Sequence, residues 1–200
     1  MSDAVENDTD DLAEGTLMSH LVELRNRLFV MFGSVFLVFL GLFGFAEPNF
    51  EVASEPLRRV LPGGELIAIG TAAPVIAMMK LLLYLSLIIA MPVVLYQLWA
   101  FVAPGLYRKE KRFAFPLVAT SIILFYVGIA FAYFVVFPLV FGFLVAFTPD
   151  TVNYMPDISD YVGFVMMLII VFGFAFETPV ATVLLIWTGL VSIEKLTSAR

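Results

Sequence analysis

FAFPLVATSIILFYVGIAFAYFVVFPLVFGFLVAF, Phe113 to Phe147, contains no charged residue, and the charge-free run continues to Pro149. A helix rises about 1.5 Å per residue and a bilayer's hydrocarbon core is about 30 Å thick, so about 20 apolar residues cross it. This run crosses once and leaves an apolar remainder. Lipid, not water, is therefore the solvent in which the chain folds. The composition agrees: of 200 residues, 62% are hydrophobic and 14% charged. Soluble domains are nearer 45–50% apolar and about 25% charged. The fold class expected is all-α, a polytopic transmembrane helical protein.

Working outward, four spans are predicted, at about 28–46, 74–99, 115–134 and 161–190. Gly128 and Ala132 in the third give a small-xxx-small face that another helix can approach. Pro138 opens a second apolar run ending at Phe147, expected as a separate re-entry. Pro92 lies inside the second span and is expected to kink it. Asp157 is placed to cap the fourth span, with Asp160 at its third helical position. Between spans one and two, Glu51, Glu55 and Arg59 recur at four-residue spacing, which suggests a short surface helix in an extramembrane loop.

Charge sets the rest of the topology. Arg25, Arg27, Arg108, Lys109, Lys111, Arg112, Lys195 and Arg200 lie at one set of span ends, against Arg58 and Arg59 at the other. The richer side is cytoplasmic by the positive-inside bias, which places both ends of the chain there. Trp99 and Trp187 fit an aromatic belt on that side. Residues 1–17 carry Asp3, Glu6, Asp8, Asp10, Asp11 and Glu14 with no base, the composition of a disordered acidic tail. Residues 18–200 form the transmembrane domain.

Few residues remain to carry chemistry. Cysteine is absent and His20 is the single histidine. There is no phosphate loop and no HExxH, so neither metal, cofactor nor catalytic residue is expected. Glu177, followed by Thr178 and Pro179, is the acid of the fourth span. An ionisable group at membrane depth is costly unless paired or wetted, and marks function by default. The structural alternative is a hydrogen bond to Thr120, Ser121 or Tyr126. In SHLVELRNRL, Ser19 to Leu28, Glu23 and Arg27 are spaced i, i+4. They can be a plain surface pair, or Glu23 can offer its carboxylate to a cationic peptide. Glu110 stands between Arg108-Lys109 and Lys111-Arg112, a solvated loop acid unless a second carboxylate lies near. Two carboxylates at one interface would match two guanidiniums through bidentate bonds.

SHLVELRNRL, LYQLWAFVAPGLYRKEKR, FYVGIAFAYFVVFPLVFGFL and ISDYVGFVMMLIIVFGFAFETPVATVLL, in this order, resemble the TatC family, the polytopic subunit of the twin-arginine protein translocase. The resemblance implies a receptor subunit for Arg-Arg signal peptides, working in proton-motive-force-driven export of folded proteins from the bacterial inner membrane. It implies recognition by Glu23 and Glu110, with Arg25 and Phe101 flanking them. Pro56 matches a proline of the first external loop. Glu177 matches a membrane-embedded acid expected to face a polar cavity or a partner helix. The partners implied are twin-arginine signal peptides, single-span TatA/TatB-type subunits, further TatC copies and the lipid bilayer, with no nucleic acid. Family members have six spans, two more than are read here, so the chain is expected to be a fragment or a truncation. The rival readings are an ion-coupled secondary carrier with Glu177 as its proton site, and a purely structural scaffold for other spans.

Overall fold

The computed structural model describes residues 2–59, 66–102, 111–149, 151–152 and 155–187, with side chains omitted at 2–17, 56–58, 102, 111–114, 184–185 and 187. Helix α1 (Ser2–Leu42) runs through a single 3₁₀ turn, Phe43–Phe45, into α2 (Ala46–Arg58). Helix α3 is Ala73–Val102 and α4 is Lys111–Phe131. A π-helical segment, Ala132–Val136, joins α4 to α5 (Phe137–Ala146), and α6 is Ile158–Trp187. Among the described residues, four stretches are long and apolar enough to cross a bilayer: Met18–Glu55, Ala73–Phe101, Phe115–Ala146 and Ile158–Val183.

Two expectations change. Helix α1 begins within the acidic segment that composition reads as disordered. Once a span has nucleated a helix, each further residue adds one hydrogen bond, and acids near an N-terminus suit the helix dipole. Pro138 does not start a separate re-entry, because α4 and α5 are joined by the π-helical segment and the third span extends to Ala146. A proline lacks the N–H its helix needs and crowds the preceding turn. Here the Phe137 N–H reaches back to Ala132 O, and Pro138 falls in the first turn of α5, where its lack of a donor does least harm. The short helix read from Glu51, Glu55 and Arg59 forms as part of α2, with Pro56 inside it, and Arg59 Nε donates to Glu55 Oε1 at 3.0 Å.

Two prolines inside helices, Pro92 and Pro56, are matched by tyrosines on neighbours. Pro92 leaves Ile88 O without its helical donor, and the Tyr126 hydroxyl of α4 donates to it at 3.0 Å. Pro56 leaves Val52 O free, and the Tyr133 hydroxyl donates there at 3.2 Å. Each pair fastens two elements with one bond and satisfies a carbonyl that lipid cannot.

The small-residue face works as expected. A Cβ at Gly128 would stand 2.5 Å from Phe172 O, so α4 and α6 meet backbone to backbone. Gly173 takes the Phe125 ring in the same way. One apolar cluster gathers Phe50, Leu81, Phe137, Phe141, Tyr161 and Met166 at the α2–α5 end. A second gathers Met91, Leu95, Trp99, Val118, Phe125 and Val180 towards the other end.

At the α2 end the chain is braced. Asp157 Oδ1 accepts from the N–H groups of Ser159 at 2.8 Å and Asp160 at 3.4 Å, the cap read from the sequence. Its Oδ2 accepts from the Ile69 N–H at 2.9 Å, and Ile67 and Asp157 form a parallel bridge. These bonds tie the segment before α3 to the start of α6.

Candidate functional site

At the far end from that brace, α1 and α3 frame a groove of about 440 Å³ lined by Ser19, Val22, Glu23, Asn26, Arg27, Val30 and Gln97. All but one of these residues recur along one side of α1 at helical spacing. Arg27 is the hub. Its Nε and Nη2 donate to Glu23 Oε1 at 3.0 and 2.6 Å, and its Nη1 donates to Gln97 Oε1 at 3.1 Å. The glutamate is about half exposed and the arginine less so, at 43% and 22%. One turn before Glu23, the His20 ring stacks on Phe101, with centroids 4.5 Å apart and planes 20° off parallel. Glu23 and Phe101 are thus brought to the same end of the α1–α3 pair. Arg25 is exposed, bonds its neighbour Asn26 at 3.3 Å and is not among the lining residues. Glu110 lies outside the described residues. Pro56 sits on α2, at the other end of the molecule.

Glu177 anchors a second polar cluster inside the fourth span. It is buried, 6% exposed. Ser121 Oγ donates to its Oε2, and Trp99 Nε1 donates to Ser121 Oγ at 2.8 Å. Of the three hydroxyls considered from the sequence, Ser121 is therefore the partner. Thr120 is exposed, and Tyr126 serves Ile88 O instead. Glu177 Oε1 is buried and has no hydrogen-bond partner among the described residues. Trp99 departs from the aromatic-belt expectation, since at 7% exposure it is packed inside and its N–H is committed to Ser121. A buried indole N–H needs an acceptor, and that need is the one signal the sequence carried.

Gln97 and the His20–Phe101 stack were not foreseen. Gln97 stands two residues before Trp99, so the last turns of α3 serve both clusters: Gln97 and Phe101 face α1, and Trp99 faces α4 and α6. Nothing in the local pattern separates Gln97 from a solvated polar residue at a helix end.

The family model described as Sec-independent protein translocase protein (TatC) matches residues 19–200. The chain belongs to the TatC family. It is 53% identical over 185 residues to the TatC protein of Azotobacter chroococcum mcd 1, covering 92% of this chain and 72% of that one. To the TatC protein of Escherichia coli strain K12 it is 48% identical over 185 residues, with the same two coverages. A crystal structure of the twin-arginine translocase receptor TatC superposes with a TM-score of 0.82 at 38% identity, covering 90% of this chain and 79% of that one. Like other TatC proteins, this chain is a multi-pass membrane protein of a protein-transport family and not an enzyme.

Proposed function

We propose that this chain is the signal-peptide receptor subunit of a twin-arginine translocase in a bacterial inner membrane, with Glu23 and Glu110 as the paired carboxylates that grip adjoining arginines. The observation that carries the reading is Glu23 itself. It stands half exposed on a groove wall and already holds a guanidinium, that of Arg27. Phe101 and His20 supply an aromatic face beside it, on which a second guanidinium can stack. Arg25 adds a positive charge on the neighbouring surface and takes a flanking role. On this reading the Glu23 end faces the cytoplasm, as the bases at that end favour. Pro56 shapes the external end. The orphan oxygen of Glu177 is a contact for a polar group on a single-span TatA/TatB-type partner or a further TatC copy, and transport draws on the proton-motive force.

The test is a titration of the reconstituted protein with a signal peptide bearing Arg-Arg and with its Lys-Lys counterpart. An ammonium is a point charge without the planar fork, so the Lys-Lys peptide binds at least tenfold more weakly. Replacing both Glu23 and Glu110 by Gln removes the difference. Equal affinities in the unaltered protein would refute the proposal.

A further inference from the structure

Arg27 is the cation one expects to find in an arginine-binding site, except that it belongs to the receptor. Both of its bonds to Glu23 converge on a single oxygen, Oε1, so it does not make the two-oxygen fork in which guanidinium and carboxylate match best. Its third nitrogen, Nη1, donates to the neutral amide oxygen of Gln97. An incoming guanidinium can therefore take Glu23 in the fork geometry while Arg27 keeps a partner. The groove leaves space for this exchange, since Glu23, Arg27 and Gln97 all line it.

We propose that Arg27 is a resident competitor for Glu23 and that Gln97 holds it when an arginine of the ligand displaces it. The inference rests on Glu23 being the ligand-binding carboxylate. Its consequence is a threshold. A ligand arginine exchanges like for like, gaining the fork that Arg27 does not make. A ligand lysine must expel a guanidinium with an ammonium, a poorer match for a carboxylate. Arg27 thus raises the threshold by the same factor for either cation, and arginine, with the better intrinsic match, is the one that clears it. Gln97 contributes in the opposite sense. In the free protein Arg27 has both Glu23 and Gln97, while in the complex Gln97 is what remains to it, so losing Gln97 penalises the complex more.

The experiment is binding of fluorescently labelled Arg-Arg and Lys-Lys peptides to the protein in lipid nanodiscs, for the unaltered chain, Arg27→Gln, Gln97→Ala and the double variant. Arg27→Gln is expected to tighten Arg-Arg binding roughly two- to fivefold, the scale of a part-exposed ion pair. Lys-Lys binding tightens by the same factor, so the ratio of the two affinities is unchanged. Gln97→Ala weakens Arg-Arg binding about two- to fivefold in the unaltered background and has no effect once Arg27 is Gln. A merely structural Arg27 would loosen both peptides equally. Weaker or unaltered Arg-Arg binding in Arg27→Gln, or a changed ratio, overturns the proposal. If Arg27→Gln fails to fold, Gln97→Ala decides alone, and an unaltered Arg-Arg affinity overturns it. Absence of binding by either peptide to the unaltered chain would instead remove Glu23 from the recognition role altogether.

Discussion

Ser121 is a small side chain on which two larger ones depend. Its hydroxyl accepts from the Trp99 indole and donates to Glu177, all three groups being buried. Removing the hydroxyl leaves a donor and an acceptor without partners, each costing about 1–3 kcal/mol. Ser121→Ala is expected to destabilise the protein by about 2–4 kcal/mol, read from unfolding in detergent micelles. Ser121→Thr keeps the hydroxyl and is expected to cost less. A loss below about 0.5 kcal/mol for Ser121→Ala would show that water replaces the missing group. The sequence singled out Glu177 as an acid of the fourth span, where it is buried, but left three hydroxyls as partners. Choosing among them requires the rotation of α4 about its axis, which is set by the approach of Gly128 to Phe172 O on another helix. No local pattern contains that angle.

At the scale of elements, the prolines are the informative feature. A helix interrupted by proline loses one donor, and in lipid the orphaned carbonyl has no water to turn to. Tyr126 answers Pro92 across the α3–α4 contact. Tyr126→Phe is therefore expected to lower stability by about 1 kcal/mol, measured by thermal unfolding. In a Pro92→Ala background the helix regains its own donor for Ile88 O, and the same change becomes nearly silent. Additive losses in that double-mutant cycle would refute the pairing. The sequence located Pro92 and Pro138 and gave all four spans, because charge-free length is a strong signal. It misjudged the end of the third span. Pro138 reads as a terminator, but the π-helical segment lets the chain carry on to Ala146. That adjustment depends on where α5 finds its packing, with Phe137 and Phe141 buried against α2 and α6.

Across the whole molecule, the two ends differ in how they are secured. At the α2 end, Asp157 holds the segment before α3 to the start of α6. The Ile69 N–H, together with those of Ser159 and Asp160, keeps its carboxyl below the usual carboxylate range, against an opposing desolvation. A depressed folded value means that the stabilisation is complete above the unfolded value of about 3.9 and disappears as pH falls through the folded one. Asp157→Asn is thus expected to be less stable than the unaltered protein at pH 7, with the gap closing only below about pH 4. A gap that stays constant down to pH 2 would show that the ionised form is not what matters. The cap was legible because Asp157 precedes a clean apolar run. The bond to Ile69 spans 88 positions of chain and left no trace in either segment. The Glu23 end was legible in its acid and its base, but not in Gln97, which only the antiparallel run of α3 brings alongside. That end is secured differently. Among the long helices α1 leans chiefly on α3, and its Phe29, Phe32, Phe36 and Leu37 are exposed to the surrounding medium. In mechanical terms α1 is hinged along one seam, like the cover of a book. A tug on its amino end would peel it away while the other three crossings stayed clasped together.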